Sequence, residues 1–163
     1  MKALVTGGGG FLGGAIVREL LRDGYQVRSF SRGSYASLED LGVEVLQADL
    51  VDVERVREAC CDCDIVFHVA AKTGIWGRYS DYYEVNVRGT ENVISACRQE
   101  GVTRLVYTSS PSVIFDGGDM EGVDERTPYP KHYTAAYPRT KAIAEQLVVK
   151  ANDKTLGTVA LRP

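Results

Sequence analysis

Tyr137 and Lys141 stand four residues apart in the stretch YPRTK, a spacing that puts both side chains on one face of a helix. A phenol ionises at a pKa of about 10, so proton transfer near neutral pH needs a cation beside it. Lys141 is such a cation. The same spacing also serves plain surface pairs, and a second feature is needed to give it chemical weight. The apolar run RLVYT supplies one, because it ends in Ser109 and Ser110. A hydroxyl at the carboxyl end of a parallel strand lies where open α/β sheets bind ligands, and there it could hydrogen-bond an oxygen that the tyrosine protonates. Strand-end serines otherwise cap or turn the chain, so their weight comes from the pairing with Tyr137 and Lys141.

A different kind of site is written into TGGGGFLGG, Thr6 to Gly14. Gly7, Gly10 and Gly13 form GxxGxxG between a short apolar run and an amphipathic segment. Such a turn brings backbone N–H groups and a helix N-terminus to a pyrophosphate, and the missing Cβ atoms allow close approach. A plain tight turn is the competing reading, weakened by the order strand, turn, helix. The second strand should end beside the adenosine ribose, where an acidic residue would accept from the 2′-hydroxyl. Here SFSRGS places Ser31 and Arg32 instead. A guanidinium fork pairs with a 2′-phosphate, which favours NADP(H) and leaves NAD(H) as the alternative. A solvated loop arginine is the bland reading.

The elements that must position these groups follow from periodicity. Strands are expected at Lys2–Thr6, Gln26–Phe30, Val43–Gln47, Asp64–Ala70, Arg104–Ser110 and Gly157–Arg162. Helical spacing begins at Leu12 with Ile16, Val17, Leu20 and Leu21, and stops at Gly24. A second helix spans Ser80–Glu100 with Tyr83, Val87, Ile94 and Cys97 on one face, and a third starts near Thr134, with Pro138 in its first turn, and runs to Lys150. Alternation of this kind predicts an α/β fold, a doubly wound parallel sheet of the Rossmann type. The segment Pro111–Thr134 breaks the rhythm and reads as a functional or disordered loop.

Composition excludes some partners. The chain has 163 residues and a net charge of −3, which gives no electrostatic footprint for nucleic acid or an anionic membrane. No stretch has the length of a membrane span, and the start MKALVTGG is too short in apolar residues for a secretory signal, so the expected location is cytoplasmic. Cys60, Cys61 and Cys63 in CCDC, with Cys97, His68 and His132, lack the paired spacing of a zinc site. Reduced thiols and no metal are the expectation.

The glycine turn in the form TGGGGFLG, followed by Ser, Tyr and Lys in that order, resembles the extended short-chain dehydrogenase/reductase family over essentially the whole chain. VFHVAAK resembles that family's fourth-strand end, YYEVNVRGTENVISAC its NVxGTxN helix, and DERTPYP its DExxP loop. RLVYTSSPSVIFDG, AAYPRTKAIAEQLV and GTVALRP narrow the likeness to the 3β-hydroxysteroid dehydrogenase-like branch, and AKTGIWGRY resembles bacterial reductases of 2-alkyl-3-oxoalkanoates. The resemblance implies Ser110 as the catalytic serine, Tyr137 as acid/base and Lys141 as the residue that lowers its pKa and binds the ribose; Ser109 is the other serine. It implies Asn86 as a residue that orders the site. It also implies cofactor contacts from Gly7, Gly10, Phe11, Leu12 and Gly13, from Ser31 and Arg32, and from Asp49 and Leu50 in ADL near the adenine. Ala70, Ala71 and Lys72 fall where further cofactor contacts occur, and a helix cap is the competing role for Asp49. Steroid-acting relatives carry aspartate at the Ser31 position, a departure that again points to NADPH.

The implied activity is hydride transfer between NADP(H) and a ketone or secondary alcohol of small-molecule type, such as a 3-oxoacyl or steroid-like substrate. A nucleotide-sugar epimerase or dehydratase with bound NAD is the enzymatic rival, and a non-catalytic nucleotide sensor or scaffold the other. Family chains continue past LRP into a substrate domain, so residues 1–163 are expected to be a dinucleotide-binding domain from a longer protein. A homodimer through the helices at 80–100 and 134–150 is also implied. Trp76 either faces an apolar substrate or anchors its loop in a partly buried position.

Overall fold

Ala3, Leu4 and Val5 alternate between the two faces of strand β1 (Lys2–Thr6), yet all three are fully buried. A strand covered on both sides belongs in the middle of a helix-sandwiched parallel sheet. The computed structural model, which describes residues 1–163, shows that arrangement. Strands β2 (Gln26–Ser31), β3 (Glu44–Gln47), β4 (Ile65–His68), β5 (Arg104–Thr108) and β6 (Gly157–Leu161) join β1 in one parallel sheet ordered β3-β2-β1-β4-β5-β6. The strand order reverses between β1 and β4, and the crevice outside their carboxyl ends is the ligand site of such sheets. The expected doubly wound fold is present.

Two apolar layers hold the sheet. On one face Val17 and Leu20 of helix α1 (Phe11–Arg22) pack with Ala3, Val5 and Val27, and Leu38 of the short helix α2 (Ala36–Glu39) joins them. On the other, helices α3 (Val53–Cys60), α5 (Gly89–Gln99) and α6 (Ala136–Lys150) cover Leu4, Phe30, Val66 and Leu105. Cys60, Cys63 and Cys97 lie buried in this second layer. Asp52 starts α3 by accepting from the Arg55 N–H. Arg28, inside β2, closes the other end of the same helix: its Nη1 donates to the carbonyls of Ala59 at 2.8 Å and Cys61 at 2.9 Å, while the guanidinium pairs with Glu44.

Three expectations are corrected. The region 80–100 is not one regular helix: α4 (Tyr79–Tyr83) passes into a π-helical turn (Glu84–Arg88) before α5. The inward face therefore carries Tyr82, Asn86, Val87, Val93 and Cys97, while Tyr83 and Ile94 are only half-buried. The fourth and fifth strands end at His68 and Thr108, earlier than expected, because the main chain beyond them leaves the sheet to form the site. Helix α6 begins at Ala136, two residues later than Thr134, which still leaves Pro138 within the first turn, where its missing N–H costs nothing. The segment after β5 opens with a 3₁₀ turn (Pro111–Ile114) and has no further helix or strand before α6.

Candidate active site

The turn between β1 and α1 is wound so tightly that only glycine fits at two points. Gly7 has a φ of +73°, and a Cβ on Gly13 would collide with the Gly7 carbonyl oxygen. The Gly10 N–H donates to Gly7 at 2.9 Å, and α1 follows with Gly10 as its N-cap and no side chain capping it. Its first N–H groups are therefore available to an anion, and no acidic residue sits in the first turn to compete.

This turn opens on a cleft of about 810 Å³. Gly7, Gly10, Phe11, Leu12 and Gly13 form its floor, with Ala70 and Ala71 from the end of β4. Ser31 and Arg32 line the far side at the end of β2, and Asp49 and Leu50 come in after β3. Arg32 is exposed and forms no ion pair; its main-chain oxygen accepts from Gln47 at 2.8 Å, and Ser31 Oγ donates to Gly33 at 3.2 Å, which fixes the loop that carries it. Asp49 accepts weakly from Val51 N at 3.3 Å and does not cap α3, a role that Asp52 fills. A dinucleotide fits this donor set: free helix N–H groups for a pyrophosphate, with the unpaired Arg32 guanidinium on the wall of the same cleft.

Lys72 stands apart from this wall. It does not line the cleft, since its peptide is bound on both sides by the Asn86 amide and its ammonium lies 5.4 Å from the centre of the Tyr82 ring. Tyr35 and Thr73, which sequence reasoning passed over, do line it. The Tyr35 ring covers the glycine turn at Gly9 and Gly33, a contact that no spacing in SRGSY signals.

Tyr137 and Lys141 lie not on the main cleft but on an adjoining recess of about 300 Å³, where they meet Ser109 and Ser110. Leu12, Val69, Ala71 and Thr73 line both spaces, so the two are continuous. Ser110 Oγ caps the 3₁₀ turn by accepting from Ser112 N at 3.2 Å and lies 2.9 Å from Ser112 Oγ. Ser109 Oγ is buried beside the Glu145 carboxylate. Lys141 is buried at 2 % exposure; its Nζ donates to the Thr108 carbonyl at 2.6 Å and sits 4.1 Å from the centre of the Tyr107 ring. Burial pushes its pKa down to about 7, with Glu145 acting in the opposite direction.

Asn86 does not reach the recess. Its Oδ1 accepts from Lys72 N at 2.7 Å, and its Nδ2 donates to Lys72 O and to Thr140 Oγ1, both at 3.0 Å. It ties the loop after β4 to the first turns of α6, where Thr140 Oγ1 in turn donates to Ala136 and Tyr137 carbonyls. A second buried chain supports the same corner. Thr6 Oγ1 accepts from the N–H groups of Val69 and Ala70, so its own hydrogen points to His68 Nδ1 at 2.8 Å. His68 Nε2 then donates to Thr90 Oγ1 at 3.0 Å, and Thr90 donates to Asn86 O. Burial lowers the His68 pKa to about 3, so the imidazole is neutral in this relay.

Trp76 is 89 % exposed, so it is not a partly buried anchor; Ile75 beside it is exposed as well. No helix is long and apolar enough to cross a membrane.

Comparison with known proteins agrees with this geometry. The family model of the 3-beta hydroxysteroid dehydrogenase/isomerase family matches residues 4–163. The chain is 51 % identical over its full length to a 2-alkyl-3-oxoalkanoate reductase of Stenotrophomonas maltophilia, covering 50 % of that protein. Against the protein of the same name from Shewanella oneidensis it is 49 % identical, with 99 % of this chain and 43 % of that one covered. The chain thus spans about half the length of the curated relatives it matches. Among solved structures, a short-chain dehydrogenase/reductase superfamily protein from Agrobacterium tumefaciens with bound NAD superposes with a TM-score of 0.88 at 29 % identity, over 99 % of this chain and 48 % of that one. The UDP-glucose 4-epimerase of Thermus thermophilus, in complex with NAD, gives 0.85 at 33 % identity, over 99 % and 54 %. A family model that matches all but the first three residues, on a sheet and glycine turn of this form, shows that the chain belongs to the 3-beta hydroxysteroid dehydrogenase/isomerase family.

Proposed function

We propose that this chain is the dinucleotide-binding domain of an oxidoreductase that moves a hydride between NADP(H) and a ketone or secondary alcohol, with a 3-oxoacyl or 3β-hydroxysteroid-like compound as substrate. The observation that supports it most is the meeting of Ser110, Tyr137 and Lys141 on a recess that shares four wall residues with the glycine-floored cleft. In this reading the cofactor is held by the α1 N-terminus, by Asp49 and Leu50 and, through its 2′-phosphate, by Arg32. When bound it supplies the hydride that a carbonyl carbon accepts. Ser110 donates its hydroxyl hydrogen to the carbonyl oxygen, a direction favoured because the Ser112 N–H already fills one of its lone pairs. Tyr137 gives its phenolic proton to that oxygen as the C–H bond forms, and Lys141 stabilises the phenolate left behind. In the oxidative direction the Tyr137 phenolate takes the alcohol proton.

The names of the relatives at about half identity support a 3-oxoacyl substrate, and the Ser31–Arg32 pair supports NADP(H) over NAD(H). A second reading, a nucleotide-sugar epimerase, draws on the likeness to the NAD-bound UDP-glucose 4-epimerase. It would show as NAD retained through purification with no net cofactor oxidation. We also propose that two copies pair through the helices at 80–100 and 134–150 and that the protein is cytoplasmic; sedimentation reports the first and fractionation the second.

The test is cofactor oxidation with a panel of 3-oxoacyl ketones, comparing the protein with Tyr137→Phe. A loss of rate of about 10²–10⁴-fold with NADPH binding retained is expected. Full rate in the variant would overturn the mechanism.

A further inference from the structure

Lys141 is a cation in a place where its nearest partners carry no charge: a carbonyl oxygen of β5 and the face of Tyr107. The only buried carboxylate in the molecule lies one helical turn further along α6, at Glu145, 2 % exposed. That carboxylate is held from two sides. Arg162, just beyond β6, reaches it through Nη2 at 2.5 Å and Nε at 3.1 Å, and the Tyr129 hydroxyl, from the segment between β5 and α6, donates to it at 2.6 Å. Burial alone would raise its pKa, but the hydrogen bonds from Arg162 and Tyr129, with the Ser109 hydroxyl beside them, keep it below the ordinary carboxylate range, so it is charged at neutral pH.

We propose that Glu145 is a positioning residue for the proton-transfer site: its carboxylate, fixed by Arg162 and Tyr129, is the counter-charge that favours the protonated form of buried Lys141 beside Tyr137. The role rests on the catalytic reading of Tyr137 and Lys141. Burying an ammonium removes the solvation that favours its charged form, and an opposite charge on the adjacent helical turn restores part of it. The other titratable groups around Lys141 do not supply that charge. Tyr107 on β5 is a buried phenol whose pKa is pushed far up, chiefly by its burial, so it stays neutral. His68 on β4, whose ring centre lies 5.6 Å from that of Tyr107, is neutral, and Tyr137 is the group that Lys141 is there to serve. Arg162 is positive and is committed to Glu145. Arg162 and Tyr129 lie on two different segments that leave the sheet beside the site, so the charge on Lys141 depends on both being seated.

The test reads Lys141 directly. In protein made with ¹³C-labelled lysine, the Cε resonance that disappears in Lys141→Arg is followed as a function of pH, without cofactor or substrate. Glu145→Gln is expected to move its midpoint down by about one pH unit, and Glu145→Asp, which keeps the charge, to restore most of the difference. Glu145→Gln leaves the guanidinium of Arg162 unpaired, so the double variant Glu145→Gln, Arg162→Leu is measured alongside, and its midpoint should fall as well. A midpoint unchanged in both Gln variants, with near-ultraviolet circular dichroism showing the native packing, would overturn the proposal. Because no turnover is involved, a shifted midpoint in a protein that reduces no ketone would count against the catalytic reading and leave the charge coupling standing.

Discussion

The ammonium of Lys141 donates to the main-chain oxygen of Thr108 at 2.6 Å, which joins helix α6 to the last residue of β5. The bond sets the helix that carries Tyr137 against the strand end that carries Ser109 and Ser110. It also leaves Lys141 buried, and burial lowers its pKa to about 7, against about 10.4 in an unfolded chain.

A pH dependence follows from that difference. Between pH 7 and 10 the unfolded chain holds a proton on Lys141 that the folded protein has begun to release, so this residue makes stability rise with pH through that window. The part between pH 7 and pH 9 is worth about 2 kcal/mol. Lys141→Met should therefore be relatively more stable than the parent at pH 7 than at pH 9, by urea unfolding at both values. Parallel pH profiles for the two proteins would contradict the assignment.

At the glycine turn, Gly13→Ala places a methyl group against the Gly7 carbonyl, which is main chain and cannot step aside alone. The turn must open. The expected result is a lower melting temperature, with a loss of about 1–3 kcal/mol, and no measurable nicotinamide binding by fluorescence titration. Native binding in this variant would mean that the turn is not the phosphate cradle.

Asn86→Leu removes three hydrogen bonds and strands the peptide groups of Lys72 in a half-buried loop. A destabilisation of about 3 kcal/mol is expected in chemical unfolding. Hydrogen exchange should quicken in residues 70–73 and in the first turn of α6, the two segments that Asn86 joins. A change confined to the helix would show that the loop is held by something else.

Much of this architecture is legible in the residues themselves. The six strands are marked by short β-rich runs, and the glycine turn by its spacing, because those features are local. What escapes is set by distant partners. The π turn at Glu84–Arg88 lies where Asn86 is fixed to Lys72 and Thr140 and where Thr90 receives His68, none of which helical periodicity encodes, so Tyr82 rather than Tyr83 faces inward. The family resemblance groups Lys72 with Ala70 and Ala71, and nothing local in that stretch signals that Asn86 clamps its peptide or that its ammonium lies over the Tyr82 ring. Nothing in QVRSF signals that Arg28 caps the end of α3, and the Glu145–Arg162–Tyr129 cluster joins three segments that nothing in the linear order associates.

We propose that the cleft takes a phosphorylated nicotinamide dinucleotide with Arg32 at the 2′-phosphate. Separate titrations of NADPH and NADH at fixed salt, on the protein and on Arg32→Ala, measure it most directly. NADPH is expected to bind at least about tenfold more tightly than NADH, a difference of about 1.4 kcal/mol, and the variant should lose that preference while binding NADH unchanged. Equal or tighter binding of NADH by the unaltered protein, or a preference that survives in Arg32→Ala, would contradict the account.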